Sequence, residues 1–81
     1  MSQFVDQHIN KHIIQRIQKI QTDTALEDIE AGLEFITQQY RTNEDKQVRV
    51  SIRAKMSELL DYIFDNNLND KIELTNYMLY D

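Results

Sequence analysis

The chain has 81 residues, with no cysteine, no proline and a single glycine, and its formal net charge is −5 at pH 7. Without cysteine it has neither a disulfide scaffold nor a thiolate metal site, and the scarcity of turn-forming residues argues against a many-stranded β fold. The negative charge disfavours general attraction to nucleic acid or to anionic lipid.

Length and hydropathy predict a single helical domain over residues 1–81. No apolar run approaches the roughly 20 residues that cross a bilayer. The start, MSQFVDQHINK, lacks the charged-then-apolar order of a signal peptide. We therefore expect a cytoplasmic protein.

Periodicity predicts a first helix over residues 3–21. Val5, Ile9, Ile13, Ile17 and Ile20 recur at steps of four and three, while polar side chains occupy the opposite side. Phe4 and Ile14 widen the apolar face beyond one stripe. Such surplus apolar width on an outer helix indicates a second contact, either with a fourth helix or with another chain.

The central helix, residues 24–42, has the clearest pattern in the chain. Its apolar stripe is Leu26, Ile29, Leu33, Ile36 and Tyr40. Thr24 followed by Glu27 matches a capping box. Gly32 lies beside the stripe, and because a glycine inside a helix costs about 1 kcal/mol relative to alanine, it indicates a close approach by another helix.

A third helix and a short fourth helix follow. Asn43 is the expected N-cap of the third helix, which we expect to end near Asn66 and Asn67, because asparagine tolerates the left-handed conformation. The fourth helix is predicted over residues 71–80, although alternating apolar residues in this segment also fit a strand.

The predicted fold is all-α: a small bundle of three long helices and one short C-terminal helix, with sequential neighbours antiparallel. The predicted core comprises Ile9, Ile13, Ile17, Leu26, Ile29, Leu33, Ile36, Ile52, Met56, Leu59 and Ile63.

Two spacings in the sequence resemble metal-binding motifs, but neither is complete enough to predict a metal site. His8 and His12 stand four residues apart, but no third ligand follows at a recognisable spacing. Residues 65–76 match the first positions of an EF-hand loop, but Asp70 replaces the turn glycine and Asn76 replaces the closing glutamate. No metal and no cofactor is expected.

Catalytic chemistry is not predicted either. There is no cysteine nucleophile, no glycine-flanked serine and no glycine-rich phosphate loop. The acidic residues follow solvent-facing helical positions, and no pair of carboxylates is set apart by an apolar setting. We expect no enzymatic activity.

An alternative function arises from residues 47–53, whose strict alternation places Val48, Val50 and Ile52 on one face. This segment resembles the DNA-reading strand of the dimeric ribbon-helix-helix repressors. The resemblance implies a repressor with residues 47–53 as the ribbon. The acidic faces suggest a further alternative, mimicry of DNA towards a nucleic-acid-binding enzyme.

Surplus apolar residues at the two ends of the chain predict a protein-binding surface. Aromatic residues and methionine are suited to protein interfaces. The candidate partner-binding residues are Phe4, Ile14, Tyr77, Met78 and Tyr80.

Two segments, ALEDIEAGLEFITQQYR and LLDYIFDNNLNDKIELTNYML, resemble the small accessory proteins of T-even-type bacteriophages. Within that group the chain is similar in size and helical pattern to the cytoplasmic lysis-inhibition antiholins. The resemblance implies a non-enzymatic regulator that binds a protein partner, namely the cytoplasmic portion of a holin, and delays lysis. A homo-oligomer is also compatible with this interpretation.

Overall fold

A computed structural model describes residues 3–77, with side chains described from His8 onward. Within these residues the regular structure is entirely helical: α1 spans Gln3–Gln18, α2 spans Leu26–Thr42 and α3 spans Lys46–Asp65. Two short 3-10 turns follow, Leu68–Asp70 and Leu74–Tyr77. The all-α prediction is confirmed. The fourth helix is not formed over residues 71–77, and residues 78–80 lie outside the described residues.

Contacts across the bundle define its topology. Along α1 and the segment after it, Asn10 contacts Asn43, and the guanidinium of Arg16 lies over the ring of Phe35. The order of these contacts makes α1 and α2 antiparallel. Lys55 of α3 reaches the carbonyl oxygens at the end of α1, so α1 and α3 run side by side in the same direction.

The core forms where the three helical stripes meet. Its buried apolar residues are Ile17, Ile29, Leu33, Ile36, Tyr40, Val48, Ile52, Met56, Leu59, Ile63 and Ile72. Ile13 and Leu26, both predicted core residues, are partly buried and pack against this cluster. Ile9 is the predicted core residue that the structure contradicts, since half of it is exposed.

Residues 47–53 lie inside α3, so the predicted third helix is confirmed through this segment and the alternative DNA-reading strand is not formed. Val48 and Ile52 are buried, whereas Val50 is exposed. Over only seven residues, the two-residue period of a strand cannot be distinguished from the 3.6-residue period of a helix. The wider stripe of α3 decides for helix because it buries one residue per turn along its whole length.

The ends of the helices differ from the predicted caps. Ala25, not Thr24, precedes α2 and makes no side-chain cap, while the Thr24 hydroxyl donates to Asp28 Oδ2. Asp45, not Asn43, is the N-cap of α3, and its carboxylate accepts from the Val48 N–H. At the other end, Asn67 adopts the left-handed conformation with φ 57°, as predicted for the residues that terminate α3.

The close approach predicted at Gly32 is confirmed. A Cβ at this position would lie 2.7 Å from Cγ2 of Ile20. Ile20 lies in the segment after α1, because α1 ends at Gln18 rather than at the predicted residue 21. The glycine therefore makes room for the chain as it turns from α1 towards α2.

Thr37 is a buried polar residue whose hydroxyl has no hydrogen-bond partner. Burying an unpaired hydroxyl costs about 1–3 kcal/mol. We expect Thr37→Val, which keeps the shape and removes the hydroxyl, to raise the free energy of unfolding by about 1 kcal/mol, measured by urea denaturation. Thr42→Val is the control, because the exposed Thr42 hydroxyl donates to the Gln38 carbonyl. If Thr37→Val and Thr42→Val changed the free energy of unfolding equally, the Thr37 hydroxyl could not be an unpaired buried group.

Candidate functional site

The first turns of α1 extend past the rest of the bundle. Asn43, in the turn between α2 and α3, donates through Nδ2 to Asn10 Oδ1 at 3.0 Å, so residues 3–9 of α1 lie beyond that turn. The molecule measures 45 Å along its longest axis, whereas the 20 residues of α3 account for about 30 Å. Residues 3–9 add about 10 Å to the length at 1.5 Å per residue. We call them the projecting turns.

The apolar stripe of α1 continues from the core into the projecting turns. Ile17 is fully buried, Ile13 is partly buried against the core, and Ile9 is 50% exposed. Burial falls in this order because α2 ends at Thr42 and α3 begins at Lys46, close to the level of Asn10. Ile9 therefore lies at a level where, among the described residues, no further helix covers it.

The base of the projecting turns is held by a hydrogen-bond network around Asn43. Besides its bond to Asn10, the Asn43 side chain accepts from the Asp45 N–H at 2.9 Å. The backbone carbonyl oxygen of Asn43 accepts from Arg49 Nε at 3.1 Å. Nη2 of Arg49 donates to the backbone carbonyl oxygen of Tyr40 at 3.0 Å. These bonds join all three helices at the point where α1 leaves the bundle.

The predicted contact residues divide into two groups. Phe4 belongs to the first turn of α1, but its side chain lies outside the described part of the structure, as do Met78 and Tyr80. Ile14 and Tyr77 are partly buried and pack against the protein's own core. Ile14 and Tyr77 therefore present less free apolar surface than predicted, and the role of the five residues in partner binding stays a prediction.

The large apolar side chains that the structure leaves exposed were not predicted as contact residues. Among the described side chains they are Ile9, Val50 and Phe64. Ile9 was missed because its position in the stripe predicts burial. Val50 and Phe64 fall off the buried stripe of α3, and this displacement is the sequence signal that could have identified them.

Tyr77 lines a groove of about 680 Å³ on the outer side of α2. Other residues lining this groove include Glu34, Phe35, Thr37, Gln38 and Arg41. Burial raises the pKa of Tyr77, and the nearby carboxylates of Glu34 and Glu30 raise it further. The Tyr77 hydroxyl therefore loses its proton less readily than an exposed tyrosine, and at neutral pH it is a hydrogen-bond donor as any tyrosine is.

The candidate metal ligands lie at two separate places, on α1 and at the end of α3. The rings of His8 and His12 are 4.7 Å apart in an edge-to-face arrangement, and both side chains are exposed. In the segment that resembled an EF-hand, Asn66 Nδ2 donates back to the Tyr62 carbonyl and so closes the end of α3. Within the described side chains no three histidine or acidic residues are grouped so that they could hold a metal ion.

No helix among the described residues is long and apolar enough to cross a membrane. Comparisons with protein-family models, curated proteins and solved structures found no match to this chain. The function is therefore inferred from the chain's own residues.

Proposed function

We propose that this chain is a non-enzymatic regulatory protein that binds another protein through the projecting turns of α1. The observation that supports this proposal is the loss of burial along one apolar stripe, from the fully buried Ile17 to the half-exposed Ile9. A helical segment of a partner that packs beside the projecting turns would cover this stripe. Burial of apolar surface contributes about 25 cal/mol per Å² removed from water.

The charges around the base of the projecting turns are of both signs. Lys11 of α1 is exposed here, and Lys46 of α3 begins its helix at the same level. Glu44 and Asp45 lie in the connecting turn and carry the opposite charge. The best partner is therefore an amphipathic helix with an apolar stripe and flanks that offer charges of both signs, since charge complementarity sets orientation and association rate.

In its specific form, the proposal follows the resemblance to the T-even antiholins. The partner is then the cytoplasmic portion of a holin, and the protein acts in the cytoplasm. Binding would restrain the holin and delay lysis without chemical modification of either protein. A protein-binding regulator needs only a stable bundle with one uncovered apolar surface, and the projecting turns supply such a surface.

The proposal is tested with Ile9→Lys, measured by calorimetric titration against a purified cytoplasmic segment of a T-even holin. We expect binding by the native chain and at least about tenfold weaker binding by the variant, because a lysine cannot be buried against an apolar stripe. Folding should be unaffected, since Ile9 is already half exposed. In cells that express the holin, the native chain should delay lysis and Ile9→Lys should delay it less.

Gln15→Lys is the matched control. Gln15 is an exposed residue of the same helix, within the part that packs on the bundle, and its substitution makes an equivalent addition of charge. It should bind the holin segment as the native chain does. Native-level binding by Ile9→Lys would exclude the projecting turns, and absence of binding by the native chain would exclude the holin.

A further inference from the structure

The outward face of α3 carries a second stripe, separate from the one that forms the core, which is apolar at both ends and polar at Ser57 and Asp61. Val50, Ala54, Ser57, Asp61 and Phe64 recur at steps of four and three, and all five are exposed. We call this set the outer stripe. Its largest members lie at its two ends, where Val50 is 65% and Phe64 is 54% exposed. Apolar residues at this spacing are typical of a helix that pairs with another helix.

The outer stripe is symmetric about Ser57. Val50 precedes Ser57 and Phe64 follows it by the same number of residues, which is about 10 Å along the helix axis in each direction. In an antiparallel pair of α3 helices that cross at Ser57, Phe64 of one copy lies beside Val50 of the other. The small side chains of Ala54 and Ser57 let the two helices approach closely at the centre.

The charges of α3 favour the same arrangement. Of the basic residues in its first half, Lys46 and Arg53 border the outer stripe, whereas Arg49 and Lys55 turn towards the bundle and bond to carbonyl oxygens there. Its second half carries Asp61 in the outer stripe and Asp65 beside it, while Glu58 pairs with Lys55 of the same helix at 2.6 Å. A parallel pair would place like charges together, whereas an antiparallel pair places the basic half of each helix along the acidic half of the other. Like charges held close together oppose association, so the charges favour the antiparallel pair of α3 helices over the parallel pair.

The described part of the fold, residues 8–77, leaves this face open. Lys55 on one flank of α3 bonds to the carbonyl oxygens of Gln18 and Ile20, which places α1 on that side. Arg53 on the other flank donates to the Tyr40 hydroxyl of α2. The outer stripe lies between these flanks and opposite the buried residues Ile52 and Leu59.

We propose that the chain forms an antiparallel homodimer through the outer stripe, with the two-fold axis at Ser57. Such an interface is isologous, because the same patch of both copies forms it. It uses a surface other than the projecting turns and therefore goes beyond the proposed function. Two helices in contact from Val50 to Phe64, about 21 Å, form an interface of small size, so we expect roughly micromolar affinity.

The first test is sedimentation equilibrium of the full chain across about three decades of concentration around the expected dissociation constant. The apparent mass should rise from 9.7 kDa towards twice that value. Val50→Asp and Phe64→Asp should each weaken dimerisation at least about tenfold. Gln38→Asp, on an exposed position of α2, is the control and should dimerise normally. Because all three sites are exposed, the variants should melt as the native chain does.

The second test determines direction and uses the absence of native cysteine, so that any disulfide must join two chains. Ser57→Cys should form a disulfide-linked dimer rapidly. Val50→Cys should not link to itself, because the two copies of residue 50 lie about 21 Å apart in the antiparallel pair, far beyond the Cα separation of a disulfide. A monomer at every concentration, dimerisation unaffected by both aspartate variants, or faster linkage of Val50→Cys than of Ser57→Cys would each overturn the proposal.

Discussion

Leu33→Asp should unfold the protein. Leu33 is fully buried in the core cluster, at the centre of the α2 stripe. An ionised carboxylate without a partner in this setting costs several kcal/mol, which is comparable with the entire stability expected of a small domain, roughly 5–8 kcal/mol. Circular dichroism during heating should show no cooperative transition for this variant.

Two controls separate loss of the core from a general effect on α2. Gln38→Asp adds the same side chain to an exposed position of the same helix and should change the stability by less than about 0.5 kcal/mol. Leu33→Ala leaves a cavity without adding a charge and should cost about 2–5 kcal/mol. If Leu33→Asp melted like the native chain, the α2 stripe could not be the core.

Gly32→Val should also destabilise the protein strongly, although valine is a better helix former than glycine. The new Cβ would lie 2.7 Å from Cγ2 of Ile20. That carbon is a branch methyl, and it can move away only if Ile20 leaves its preferred χ1 rotamer or the segment after α1 shifts. Overpacking of this kind costs about 1–3 kcal/mol, measured as the change in free energy of unfolding by urea.

A double-mutant cycle identifies the clash. Ile20→Ala removes the contacting carbon and should recover at least about 1 kcal/mol of the loss caused by Gly32→Val. Ala31→Val, at the exposed neighbouring position, is the control for placing a valine in this part of α2, and it should cost no more than about 0.7 kcal/mol, the difference in helix propensity between alanine and valine. Additive effects of Gly32→Val and Ile20→Ala would mean that the two residues do not meet.

The two predicted losses arise from different features of α2. Leu33 is required because its side chain fills the core, and Gly32 is required because it has no side chain. The two residues are adjacent in sequence and lie on neighbouring faces of one helix. The face that bears Gly32 is therefore as closely packed as the stripe, as the sequence prediction of a close approach implied.

Periodicity was sufficient to predict the helices and most of the core. Ile29, Leu33 and Ile36 of α2, and Ile52 and Leu59 of α3, are buried as their spacing predicts. These residues repeat over several turns, and a face that is apolar along its length has a large free energy to gain from burial. The end of α3 was also predictable, because it depends on the backbone preference of asparagine at residue 67.

The candidate site was predicted only in part. The surplus apolar residues at the start of α1 indicated a contact surface, and the projecting turns lie there. Ile9 was assigned to the core instead, because a local pattern contains no information on where neighbouring helices end. The exposure of Ile9 follows from the level at which Asn43 turns the chain towards α3.

The sequence pattern of each helix specifies which of its faces is apolar, since that is a local property with a period of 3.6 residues. The bundle specifies how far each face is covered and how each helix ends. Lys55 donates to the carbonyl oxygens of Gln18 and Ile20 after α1, and Arg49 donates to that of Tyr40 near the end of α2. These contacts satisfy the carbonyl groups that every helix leaves without an internal partner. The two Lys55 contacts join residues 37 and 35 positions apart in the chain, so no local spacing could reveal them.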